Sequence, residues 1–97
     1  MTDPLVSIVT VTFNAEKYIE QTIQSVLAQT YRNVEYIIID GGSTDRTIDI
    51  IRRYANRLSY WISEKDNGIY DAMNKGIRHT HGELIGMVNA SDFYAPY

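Results

Sequence analysis

The sequence predicts an α/β fold: an open, mostly parallel four-stranded sheet with helices on its faces, in the order β-α-β-α-β-α-β. Three observations carry this reading. Short β-branched or apolar runs alternate with stretches whose apolar residues recur at three- and four-residue intervals. One run, Val34 to Asp40, is apolar almost without a break, as in a strand covered on both faces. The connections are short, which implies right-handed crossovers and parallel pairing.

Leu5 to Phe13, rich in Val, Ile and Thr, reads as a buried strand that stops at Asn14-Ala15. From Glu16 to Gln29, the residues Ile19, Ile23, Val26 and Leu27 mark one face of a helix. The second strand, Val34 to Asp40, breaks at Gly41-Gly42-Ser43-Thr44-Asp45. Ile48, Ile51 and Ala55 then mark a second helix that Ser43, Thr44 or Asp45 can cap. Leu58 to Ser63 is a third strand, and Glu64-Lys65-Asp66-Asn67-Gly68 a polar loop. Ile69, Ala72, Met73, Gly76 and Ile77 share a face of a third helix, in which Gly76 costs about 1 kcal/mol relative to Ala unless close packing requires it. Leu84 to Val88 is the fourth strand, leading into Asn89-Ala90-Ser91-Asp92.

Composition narrows the function classes. The chain has 97 residues, 44% hydrophobic and 22% charged, in the range of one ordinary globular domain. Its net charge is -3 and its nine basic residues are scattered, so the basic stripe of a nucleic-acid binder is absent and no nucleic-acid partner is expected. Without cysteine there is no disulfide framework or thiolate metal site, and the acidic, proline-containing start does not resemble a secretory signal. A cytoplasmic protein is the expectation, with any membrane association arising from a partner or from sequence outside this chain.

In open α/β sheets, ligands bind beyond the carboxyl ends of the strands, so the loops after Phe13, Asp40, Ser63 and Val88 form the candidate site. The Asp40 to Asp45 loop offers close backbone approach, a helix N-terminus and carboxylates for a ribose or base, and reads equally as a tight turn whose Ser and Asp cap the helix. It fits neither the G-x-G-x-x-G fingerprint nor a phosphate loop. Asp92, at the mouth of a strand, suits either a turn or a Mg²⁺ or Mn²⁺ ion whose shell a diphosphate completes. His79 and His81, two apart, point to different faces, and no G-x-S-x-G or cysteine anchors a nucleophilic triad.

Several ordered motifs then carry a family resemblance. Val6 to Asn14 resembles the opening strand, Tyr18 to Tyr31 the first helix, and Ile39-Asp40-Gly41-Gly42-Ser43-Thr44-Asp45 the D-D-G-S-T-D loop of bacterial family 2 glycosyltransferases with the GT-A fold. Gly68-Ile69-Tyr70-Asp71-Ala72-Met73-Asn74-Lys75-Gly76-Ile77 is similar to a subgroup linked to cell-surface polysaccharide assembly. The resemblance implies that Thr12, Phe13, Asn14, Asp40, Gly42 and Ser43 line a nucleotide-sugar pocket. It places Asp71 and Asn74 near the ribose or diphosphate, and makes Asp92 the ligand of Mg²⁺ or Mn²⁺.

By the same resemblance, residues 1–97 are a single N-terminal donor-binding domain, inactive alone. The glycan or lipid-linked acceptor site and the catalytic base are expected beyond Tyr97. Asp40, Asp71 and Asp92 are expected to converge at one rim. Three departures stand out: Asp40-Gly41 replaces paired acids, Met73 stands where many members carry Arg, and Asn89-Ala90-Ser91-Asp92 keeps one carboxylate of the metal motif. Lys75 is the nearest substitute for the missing arginine. An unpaired sheet edge also allows a homodimer. The alternative is a non-enzymatic Rossmann-like binding module; a phospho-acceptor receiver lacks its paired acids after strand one, and a nucleotidyltransferase lacks its Gly-rich basic loop.

Overall fold

The structure, a computed structural model, describes residues 4–29 and 31–91. The elements are β1 (Val6–Phe13), α1 (Ile19–Leu27), β2 (Val34–Asp40), α2 (Thr47–Arg53), a 3-10 turn (Ala55–Arg57), β3 (Tyr60–Ser63), α3 (Ile69–Arg78) and β4 (Leu84–Ser91). All strand pairs are parallel and the sheet order is β3-β2-β1-β4, so the expected α/β class holds. Among the described residues no helix is long and apolar enough to cross a membrane.

Strand alternation sorts the side chains onto two faces. Tyr36 and Ile38 of β2 pack with Ile19, Ile23 and Val26 of α1 and with Ile50 and Ile51 of α2. Val9, Val11, Ile37 and Ile39 face the other way, toward Ala72 of α3, with Phe13, Ile69 and Met73 packed around them. Met73 is thus half-buried against this core, which accounts for an apolar side chain at that position. Gly76 meets the sheet so closely that a Cβ there would lie 2.3 Å from Val9 Cγ1, the close packing that its presence in a helix required.

Three boundaries differ from expectation, each for a visible reason. α1 begins at Ile19 rather than Glu16, residues 15–18 forming a turn in which the Tyr18 amide donates to the Ala15 carbonyl (2.9 Å), while the Ala15 and Glu16 amides donate to Thr47 Oγ1 (2.8 Å) and Asp45 Oδ2 (3.2 Å). β3 begins at Tyr60 because a 3-10 turn takes up Ala55–Arg57. β4 extends through Asn89, Ala90 and Ser91, which pair in register with Val11, Thr12 and Phe13, so the expected loop after Val88 is strand.

At the amino end of the sheet, Glu35 gathers the start of β4. It accepts hydrogen bonds from Ser7 Oγ (2.7 Å) and the His81 amide (2.7 Å), and pairs with His81 Nδ1 (2.7 Å), while the Gly82 amide donates to Ser7 Oγ (2.8 Å). Burial raises the Glu35 carboxyl, but the hydrogen bonds from His81 and Ser7 outweigh it and leave the group below its ordinary value. His79 stacks on Tyr60 at 3.9 Å, so the two histidines serve separate structural contacts.

Candidate functional site

The chain leaves β1 through α1 toward β2 on one side, and reaches β4 on the other side through α3 on the opposite face. The strand order therefore reverses at β1, and in such sheets a ligand is expected beside the carboxyl ends of the strands at that reversal. The loops after β1, β2 and β3 are joined by hydrogen bonds at this end of the sheet.

Asp40, the last residue of β2, organises them. Its Oδ2 accepts bonds from the amides of Gly42 (3.1 Å) and Ser43 (2.8 Å) and from Ser63 Oγ (2.7 Å), and its Oδ1 accepts one from Ser43 Oγ (2.6 Å). With 0% exposure the carboxylate is satisfied internally, as a buried charge must be. The loop after β2 folds back over its own acid, and Ser63 ties the end of β3 to it.

Ser43 and Asn14 join the loop after β1 to the same body. The Asn14 amide donates to Ser43 Oγ (2.8 Å), and Asn14 Oδ1 accepts the Thr44 amide (2.8 Å). Asn14 does this at φ 47, a left-handed conformation that Asn tolerates better than most residues. Asp45 accepts the Thr47 amide at 2.9 Å just ahead of α2, whose N-cap is Arg46 without a side-chain cap bond, so none of Ser43, Thr44 and Asp45 takes the expected cap position. The Asp45 carboxyl is raised by burial and lowered by hydrogen bonds from Thr47 and Glu16, with a net downward shift.

The loop after β3 completes the rim. The Glu64 amide donates to the Asp40 carbonyl (3.0 Å), and Gly42, at φ 86, sits where a Cβ would lie 3.3 Å from Lys65 N. Asp71, in the first turn of α3, accepts the Asn67 amide at 2.9 Å, and Gly68 enters the helix at φ 105. Lys75 Nζ lies 3.2 Å from Glu64 Oε1 and 3.8 Å from Asp71 Oδ2.

The expected site residues thus divide. Asn14, Asp40, Gly42, Ser43 and Asp71 come to one end of the sheet and are linked through one hydrogen-bonded body. Asp40 lies inside it rather than on its surface. Thr12 is fully buried, and its Oγ1 finds no partner among the described residues. Phe13 packs on the α3 side, and Asn74 is exposed on α3. Lys75, the expected stand-in for a diphosphate cation, is 15% exposed and engaged with protein carboxylates. Asp92 lies outside the described residues; among those described, no group of three or more His, Asp or Glu side chains could hold a metal ion.

Sequence reasoning missed Ser63 and Thr47 as parts of this end, and it placed the Glu64 loop and Lys75 there without foreseeing that they pair. Asp40 and Ser63 are register partners across β2 and β3, a relation that the sequence carries only once the strand order is known.

Comparison with known proteins identifies the family and fold. The profile of the family described as glycosyl transferase family 2 matches residues 7–97. An uncharacterized glycosyltransferase of Mycobacterium tuberculosis is 41% identical over 93 residues, covering 95% of this chain and 36% of that protein. Chondroitin synthase of Escherichia coli is 41% identical over 95 residues, covering 96% of this chain and 14% of that protein. Among solved structures, the mannosyltransferase PcManGT from Pyrobaculum calidifontis, in complex with GDP-Man and Mn²⁺, superposes with a TM-score of 0.83 at 28% identity, over 100% of this chain and 30% of that one. The chain spans between 14% and 39% of the length of the curated relatives it matches.

Proposed function

The chain belongs to glycosyl transferase family 2, and from that premise we propose that the whole protein transfers a sugar from a nucleoside-diphosphate donor to a glycan or lipid-linked acceptor, residues 1–97 being its donor-binding part. One observation supports this most: the loops after β1, β2 and β3 form a single hydrogen-bonded rim, centred on Asp40, at the strand-order reversal. A preformed polar rim in that place suits a nucleotide whose binding cost is lowered by groups already held in position.

In this reading Asp40 and Ser43 shape the rim, while Asn14, Asp71 and Asn74 border the ligand. The buried Thr12 hydroxyl, without a partner among the described residues, lies next to the end of β1 beside these groups. The described residues do not by themselves make a metal site. Asp92 and the oxygens of the diphosphate would have to supply the ligands of Mg²⁺ or Mn²⁺, in keeping with the Mn²⁺ present in the Pyrobaculum mannosyltransferase complex. A cation so bound would neutralise the leaving diphosphate. The general base and the acceptor site belong to sequence beyond Tyr97 in this proposal, which also places the enzyme in the cytoplasm and in polysaccharide assembly. The outer edges of β3 and β4, unpaired among the described residues, leave room for a second copy or for further strands.

Calorimetric titration with UDP, GDP and their sugar conjugates, in Mn²⁺ or Mg²⁺, tests the assignment. Saturable binding of at least one nucleoside diphosphate, weakened by chelation of the metal, is expected. Absence of heat with every one of them would overturn it.

A further inference from the structure

Lys75 sits in the middle of α3, yet its charge is spent on the loop that precedes the helix. Its Nζ is 3.2 Å from Glu64 Oε1 and 3.8 Å from Asp71 Oδ2, and it donates to the Lys65 carbonyl at 3.3 Å. The ammonium group thus donates to one backbone carbonyl and pairs with two carboxylates, the Asp71 one beyond hydrogen-bond reach. The side chain is 15% exposed, against 51% for Glu64 and 32% for Asp71, so the cation is the sheltered centre of the cluster and the carboxylates are its rim.

That loop is coupled in turn to the loop after β2. Glu64 N–H bonds the Asp40 carbonyl, Ser63 Oγ bonds the Asp40 carboxylate, and Gly42 lies against the Lys65 backbone closely enough that a Cβ would be 3.3 Å from its nitrogen. On the other side, the Asp71 oxygen facing Lys75 also accepts the Asn67 amide at 2.9 Å. One cation therefore connects the start of α3 to both ends of residues 64–67, and through them to Asp40.

We propose that Lys75 is a positioning residue that holds residues 64–68 against the Asp40–Ser43 turn, so that this wall of the donor site is formed before nucleotide arrives. The inference rests on the donor-binding reading above and assigns Lys75 no contact with the diphosphate. Ordering a polar loop in advance removes part of the entropic cost that binding would otherwise carry. A lysine held by the Lys65 carbonyl and two protein carboxylates is also poorly placed to turn toward a ligand without giving up its pairing with Glu64.

The test compares the intact protein with its Lys75→Met and Lys75→Arg variants in two measurements: hydrogen exchange at the Asn67 and Gly68 amides, and affinity for UDP and GDP with Mn²⁺. Lys75→Met should raise exchange at those amides and weaken nucleotide binding by about fivefold each, the scale of a partly sheltered ion-pair cluster, while exchange in β1 and β2 stays as in the parent. Lys75→Arg should restore both. Weaker binding with unchanged loop exchange would overturn the proposal in favour of direct contact, and no change in either would overturn it outright. If the parent protein binds no nucleoside diphosphate, the donor-site reading fails by itself, and unchanged exchange in Lys75→Met would separately remove the loop-ordering role.

Discussion

Removing the Asp40 carboxylate is the sharpest perturbation of the rim. It accepts four hydrogen bonds inside the protein, two of them from backbone amides that cannot turn elsewhere. In Asp40→Ala, the Gly42 and Ser43 amides lose their acceptor. At roughly 1–3 kcal/mol for each of these two unsatisfied donors, the loss of stability is about 2–6 kcal/mol, the two hydroxyls being able to rotate toward other partners. Asp40→Asn keeps the shape. Its amide nitrogen has to face Ser43 Oγ, because on the Oδ2 side it would meet three donors. The variant then loses one bond and the charge assistance of the rest, about 1–2 kcal/mol. Urea unfolding followed by the fluorescence of Trp61, the single tryptophan, measures both. An alanine variant within about 0.5 kcal/mol of the parent, or an asparagine variant less stable than the alanine one, would refute the claim that this acid organises the loops.

Gly76→Ala should destabilise despite the better helix propensity of alanine. The added Cβ would lie 2.3 Å from the fully buried, β-branched Val9, and overpacking of about 1–3 kcal/mol outweighs a propensity gain of about 1 kcal/mol. A lowered thermal midpoint is the expected result, and an unchanged or raised one refutes the close approach of α3. Glu35 makes the fold sensitive to acid. Because its folded-state pKa is depressed below 4.5, its stabilisation is complete above that value and is lost as pH falls through the lower folded value. Urea midpoints measured from about pH 6 to 3 should therefore fall less steeply in Glu35→Gln than in the parent. Equal slopes would show that the Ser7–Glu35–His81 cluster carries no such linkage.

The architecture was legible because its periodicities are local. Ile37-Ile38-Ile39 announces a strand buried on both sides, and the spacing of Ile19, Ile23 and Val26 announces the buried side of α1. Boundaries were less legible where a neighbour decided them. Asn89-Ala90-Ser91 reads as a polar turn, yet β1 continues beside it and supplies its hydrogen-bonding partners. Glu16 reads as the start of a helix, yet the helix begins at Ile19 and the Glu16 amide is taken by Asp45, some thirty residues on.

The candidate site divides in the same way. The chain's own order of polar loops after apolar strands was enough to say which end of the sheet holds the chemistry, and its motifs were enough to name the family. Whether an acid on that end faces a ligand or the protein depends on which donors the fold brings to it. Asp40 is turned inward by Ser43 and Ser63, and Lys75 is drawn onto Glu64 and Asp71. Secondary structure follows from the repeat of residues along the chain, whereas the partner of a charged group is set by distances of a few ångströms between segments that only the assembled sheet makes neighbours.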